Sequence, residues 1–130
     1  MMNMILFDTD VLIDHLRGIS LATELLKNLK KNFEFSISVI TLAEIESGVR
    51  PKERDLVENL FRFFYQLPVT TEIAKKAGYF KQSFAQSHSI LLPDAITAAT
   101  AFVHKIPLYT LNSKDYPMTE ITTCVPYRKS

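Results

Sequence analysis

This chain of 130 residues has one cysteine, almost no charge imbalance and no long apolar run, and each shortage excludes a class of protein. Cys124 has no second cysteine to pair with in an internal disulfide, and no companion at zinc-ligand spacing. Fifteen basic and fourteen acidic residues leave a net charge of +1, so no global positive field advertises a polyanionic partner. Attraction to nucleic acid would have to come from a local patch or a bound cation. No run reaches about 18 apolar residues, and Met1-Met2-Asn3-Met4 lacks the basic and apolar regions of a signal peptide. Neither export nor a membrane partner is expected, and the cytoplasm is the expected compartment. His15, His88 and His104 are too far apart in sequence for a local ligand pair and follow no zinc-protease or deaminase pattern. No repeat, linker or low-complexity segment divides the chain, which predicts one domain over residues 1–130. Its 47% hydrophobic content supplies a core that buries roughly 70% of the unfolded chain's surface.

What is present alternates between strand and helix signals. Residues 4–7 form an apolar run ending at an acid, as a buried strand does. Thr9 is placed to cap a helix carrying Val11, Leu12 and Leu16, which Gly18 stops. Ser20 opens a second helix with Leu21, Leu25, Leu26 and Leu29 on one face. A strand is predicted over 35–39 and helices over 41–46 and 52–65. A short edge strand is expected at Leu67-Pro68-Val69, since proline cannot donate to a ladder. Thr70 or Thr71 opens a helix to about 86, Leu92 or Pro93 opens another to 104, and strands follow at 107–110 and 121–125. The order predicts an α/β fold: a mainly parallel sheet of about five short strands flanked by helices, with ligands at the carboxyl ends of the strands.

Four acids occupy apolar or turn settings: Asp8, Glu44, Asp94 and Asp115. A carboxylate beside a buried segment loses solvation and requires a partner, a proton or a metal. Each also has a structural reading. Glu44 is placed to close a capping box with Thr41, Asp94 to favour the positive end of its helix, and Asp115 to serve as a turn residue. Asp8 is harder to explain in this way, because Asp8-Thr9-Asp10 puts a carboxylate, a hydroxyl and a second carboxylate at one strand-to-helix turn.

The segments around these acids resemble a known family. Leu6-Phe7-Asp8-Thr9-Asp10-Val11-Leu12-Ile13-Asp14, Ser38-Val39-Ile40-Thr41-Leu42-Ala43-Glu44-Ile45 and Pro93-Asp94-Ala95-Ile96-Thr97-Ala98-Ala99-Thr100-Ala101 look like the first three motifs of PIN-domain ribonucleases. Leu108-Tyr109-Thr110-Leu111-Asn112-Ser113-Lys114-Asp115-Tyr116 looks like the fourth. Length and layout are most similar to VapC-type toxins of toxin–antitoxin pairs. The resemblance implies a PIN-like fold and a Mg²⁺- or Mn²⁺-dependent endoribonuclease that cuts RNA, forms a homodimer and is held inactive by a small VapB-like antitoxin. It implies Asp8, Glu44, Asp94 and Asp115 as catalytic acids, with the fourth role divided between Asp115 and Asn112. Asp10 stands where many relatives have Asn.

The chemistry agrees with the resemblance. Mg²⁺ takes one or two direct carboxylates and keeps waters, which makes Asp8 and Asp94 the expected metal ligands, with Glu44 and Asp115 holding waters or a second ion. Thr9, Thr110 and Asn112 are candidates to orient carboxylates or bind the scissile phosphate, and equally to serve as cap and turn residues. Arg17, Arg50, Lys52, Arg54 and Lys114 are available to RNA backbone, but the sequence singles out none of them. The apolar residues Leu56, Leu60, Phe61, Phe63, Phe64 and Tyr65 exceed one helix face, which suits an antitoxin helix, a second subunit or deep burial in the monomer.

Two other functions fit parts of the pattern. Ile5-Leu6-Phe7-Asp8-Thr9-Asp10 also looks like the first motif of haloacid-dehalogenase-like phosphatases, with Asp8 as nucleophile and Asp10 as general acid/base. That motif normally continues Gly-Thr, where this chain has Val11-Leu12. The third function is a non-catalytic PIN-like binding subunit. A retired site has no electrostatic reason to retain unpaired acids.

Overall fold

Five short strands form one sheet in the order β3-β2-β1-β4-β5, and every pairing is parallel. The computed structural model describes residues 3–129; Met1 and Met2, at the amino terminus read above for a signal sequence, and Ser130 lie outside them. In chain order the elements are β1 (Asn3–Phe7), α1 (Thr9–Leu16), α2 (Ser20–Leu29), β2 (Phe33–Ser38), α3 (Val39–Glu46), α4 (Arg54–Phe61) and β3 (Phe64–Leu67). They continue with α5 (Thr71–Ser83), α6 (Leu92–His104), β4 (Leu108–Tyr109) and β5 (Thr123–Cys124). Single 3₁₀ turns occur at Pro51–Glu53 and Ser113–Asp115. Among the described residues, no helix is long and apolar enough to cross a membrane.

Alternation along β1 divides the core in two. Ile5 and Phe7 point to one face, where Val11, Leu12, Leu26, Ile45 and Leu60 cover them. Leu6 points to the other, beneath Ile73 and Phe80 of α5 and the alanine-rich α6. Ala95, Ala98 and Ala99 are fully buried, and these small side chains allow α6 to lie close to α5 and the sheet. Phe7 packs edge-on against Phe35 and Phe64 at ring-centroid distances of 4.9 and 5.7 Å. Truncating such a buried ring to alanine costs about 3–5 kcal/mol.

Three local expectations are corrected. The helix expected over 52–65 ends at Phe61, and Phe64 and Tyr65 belong to β3. Their spacing fits a helix, but pairing of Phe64 with Phe35 in the β2 ladder, with the Phe64 ring buried, overrides it. The edge strand exists, three residues earlier than expected, and stops before Pro68. Asp8, not Thr9, caps α1, its carboxylate accepting from the Thr9 amide at 2.8 Å.

Candidate active site

Asp8 follows the central strand. Its amide donates to the Tyr109 carbonyl at 3.0 Å, so the β1–β4 pairing itself fixes where the side chain starts. The half-buried carboxylate is then held on both oxygens. Oδ1 takes the Thr9 amide, and Oδ2 is reached by the Thr110 hydroxyl at 2.9 Å and the Tyr116 hydroxyl at 2.7 Å.

Asp94 comes from the first turn of α6, behind Pro93, in the helix that covers Leu6. Its Oδ1 lies 3.4 Å from the Tyr116 hydroxyl, which therefore stands between Asp94 and Asp8. Burial first, then the charges of Asp8, Asp115 and Glu44, push Asp94 up to about 6. The charges of the other three acids thus act on one carboxyl. Tyr116 is itself buried, and desolvation followed by the Asp8 and Asp94 carboxylates raises its phenol far above its ordinary range, so it acts as a neutral donor.

Glu44 arrives on α3, exposed, and its Oε1 accepts from the Thr9 hydroxyl at 2.6 Å. The capping box expected with Thr41 does not form. The helix begins two residues earlier than expected, at Val39, where the Ser38 hydroxyl accepts from the Ile40 amide at 3.1 Å. Thr41 is left inside the helix, buried and 3.3 Å from the Thr9 hydroxyl.

The loop after β4 separates the two candidates for the fourth acid. Asp115 is exposed at the end of its 3₁₀ turn and contributes to the charge felt by Asp94. Asn112 instead donates from Nδ2 to Asp10 Oδ2 at 2.9 Å. That same oxygen takes the Leu111 amide at 3.0 Å and lies 3.3 Å from the Thr110 hydroxyl, while Oδ1 is buried with no partner. Burial and the Asp8 charge raise Asp10 to about 6, against the pull of its hydrogen bonds. An Asp10 engaged in this way is not the free general acid that the phosphatase reading needs. Two of the histidines are engaged elsewhere: His15 bonds Thr23 and His88 bonds Ser87.

The PIN domain family model matches residues 5–117, a span that includes all four acids. The chain belongs to the PIN-domain family. Among curated relatives, Ribonuclease VapC10 of Mycobacterium tuberculosis is 42% identical over 118 residues, covering 90% of this chain and 89% of that protein. Ribonuclease VapC19 of the same organism is 36% identical over 115 residues, 87% of this chain and 92% of its own. A solved toxin-antitoxin complex from Klebsiella pneumoniae contains a chain superimposing with a TM-score of 0.80 at 28% identity, covering 95% of this chain and 98% of its own. A chain in VapBC2 from Rickettsia felis, bound to a promoter DNA fragment, gives the same TM-score at 19% identity, which speaks to the fold alone. It covers 93% of this chain and 97% of its own.

PIN-domain ribonucleases are in general metal-dependent, and the residues of this PIN domain suit a hard divalent cation. Among the described residues, no three acidic, histidine or cysteine side chains form a ready cage. Mg²⁺ does not need one, because it binds through one or two carboxylates and keeps several waters. Asp8 and Asp94, sharing one hydroxyl, offer such a pair; the Asp94 carboxyl is raised by burial first and then by neighbouring negative charge, and a cation would offset that charge. Tyr116 was missed from sequence. The sequence names it only as the last residue of the fourth motif, and its hydroxyl gains a role because the loop after β4 buries it against α6 between Asp8 and Asp94.

Proposed function

We propose that this protein is a metal-dependent endoribonuclease, the toxin of a VapBC-type pair, with Asp8, Glu44, Asp94 and Asp115 as its catalytic acids. The supporting observation is the Tyr116 hydroxyl standing between Asp8 and Asp94, with Glu44 bonded to Thr9 beside Asp8, so that acids from separate chain segments meet at the end of β1. The VapC ribonucleases that this chain resembles over most of its length support the choice of RNA as substrate.

In this reading Asp8 and Asp94 hold Mg²⁺ or Mn²⁺, and Glu44 and Asp115 order the surrounding water. The bound ion would activate water as the nucleophile and offset charge on the phosphodiester during in-line displacement. Thr110 and Tyr116 fix the Asp8 carboxylate, and Thr9 fixes Glu44. Asn112 acts at one remove, by holding Asp10. Held carboxylates lose less freedom when a cation arrives, and such supporting contacts are worth 10–100-fold in affinity or activity.

The antitoxin partner has a candidate seat. A groove of about 290 Å³ between α1, α2, α4 and β3 is lined by His15, Leu26, Lys27, Leu60, Phe63 and Phe64. Phe63 is 56% exposed there although it is a large aromatic. An amphipathic antitoxin helix fits this shape, its apolar face on Leu60 and Phe63. The solved toxin-antitoxin neighbours support a protein partner of this kind, and a homodimer completes the proposed assembly.

The decisive experiment is Mn²⁺-dependent cleavage of total RNA by the wild type and by Asp94→Asn. Cleavage that requires Mn²⁺ and disappears in the variant is expected; a folded variant that still cuts, or a wild type that never does, overturns the reading.

A further inference from the structure

Asp14 is the one charged side chain of the described residues that is buried away from solvent, and the acidic site makes no use of it. Both of its oxygens are taken by the carboxyl-terminal segment. Tyr127 donates its hydroxyl to Oδ2 at 3.0 Å, and Lys129 places Nζ 3.0 Å from Oδ1. Residues 125–129 have no regular secondary structure, yet this clamp and the packing of the Tyr127 ring on the core fix them across α1.

The fixed segment lines a cleft of about 430 Å³ through Arg128 and Lys129, together with Arg17 at the carboxyl end of α1 and with Asp10, Asp14 and Asn112. Asp14 is matched by Lys129, while Arg17 and Arg128 are exposed and without an ion-pair partner among the described residues. Asp10 presents little negative charge outward, because Oδ2 is occupied by backbone and side-chain donors and Oδ1 is buried. The cleft therefore faces solvent chiefly with two guanidinium groups. The acidic site is its neighbour, since the buried Thr110 hydroxyl contacts both Asp10, which lines the cleft, and Asp8.

We propose that the carboxyl-terminal segment, clamped on Asp14, builds a phosphate-binding cleft with Arg17 and Arg128 that holds the RNA backbone beside the phosphate being cut. This rests on the ribonuclease reading above. Planar guanidinium groups suit phosphate oxygens, and a chain of net charge +1 must gather its positive field locally to hold a polyanion beside four acids. Arg17 and Arg128 are binding residues. Asp14 is a positioning residue that acts through the segment it holds.

The test measures binding of a labelled single-stranded RNA to the full-length protein without metal, across a salt series. The Arg17→Gln/Arg128→Gln double variant should bind about tenfold more weakly, with its salt slope reduced by about 1.4, or 0.7 per lost phosphate contact. Its Mn²⁺ affinity should not change. Asp14→Asn should show the same direction of change, and a thermal melt should confirm that it is folded. A wild type that binds and cuts RNA while the arginine variant keeps its affinity and slope removes the cleft and leaves the nuclease standing. A wild type that neither binds nor cuts RNA removes both.

Discussion

The Tyr116 hydroxyl donates to Asp8 Oδ2 at 2.7 Å while lying 3.4 Å from Asp94 Oδ1, so one neutral phenol links a carboxylate at the end of β1 with one in the first turn of α6. Tyr116→Phe keeps the buried ring and removes the link. Asp8 retains Thr9 and Thr110, so the fold should persist. Mn²⁺ affinity and RNA cleavage should each fall about 10-fold, within the range for residues supporting metal ligands. Isothermal titration with Mn²⁺ checks this, and an unchanged affinity would show that the hydroxyl only fills space.

Asp94→Asn removes a charge that its surroundings oppose. Cleavage should disappear, while the metal-free protein should become more stable by about 1–2 kcal/mol, a figure discounted because the carboxyl is half-exposed. Paired melts in chelator and in Mn²⁺ are the measurement. The variant should melt higher in chelator and gain less than the wild type from the metal.

The same residue sets a pH signature. Asp94 and Asp10 titrate at about 6 in the folded protein against 3.8 in the unfolded chain, so the folded state binds protons more tightly than the unfolded state. Their contribution is fully present below about 4 and is lost as pH rises through about 6. The wild type minus Asp94→Asn stability difference in chelator should therefore grow more unfavourable to the wild type between these values and then level off. A flat difference would mean that Asp94 titrates normally.

Phe63 tests the partner groove independently of catalysis. Phe63→Glu places a charge in a lining composed largely of apolar side chains, and should weaken binding of a helical antitoxin by at least about 2 kcal/mol, the scale of an aromatic anchor. RNA cleavage by the free protein should persist. Pull-down and cleavage assays on one preparation decide it, and undiminished antitoxin binding would place the partner elsewhere.

Much of this arrangement was readable because local and global signals agreed. The run before Asp8, the Thr70 cap of α5 and the Leu92-Pro93 start of α6 each matched the structure within a residue or two. Signals failed where distant pairing decided the outcome. Phe63, Phe64 and Tyr65 continue a helical spacing, but β2 draws Phe64 into the sheet, and nothing local to the sequence encodes that ladder. Glu44 looked like half of a capping box because Thr41 precedes it by three residues; its hydroxyl partner proved to be Thr9, 35 residues earlier. The choice between Asn112 and Asp115 could not be made from spacing; Asn112 donates to Asp10, while Asp115 is exposed and contributes to the charge felt by Asp94.

The all-parallel sheet also orders events during synthesis. Asp8 is made before its partners: the hydroxyl of Tyr116 that holds it lies 108 residues later, and β1 cannot pair with β4 before that strand exists. At 5–20 residues per second, roughly 5–20 s separate the two residues on the ribosome. During that interval the nascent chain carries the first acid without the enclosure that would put it to use. The chain becomes hazardous only once β4 and the loop that carries Tyr116 have been made.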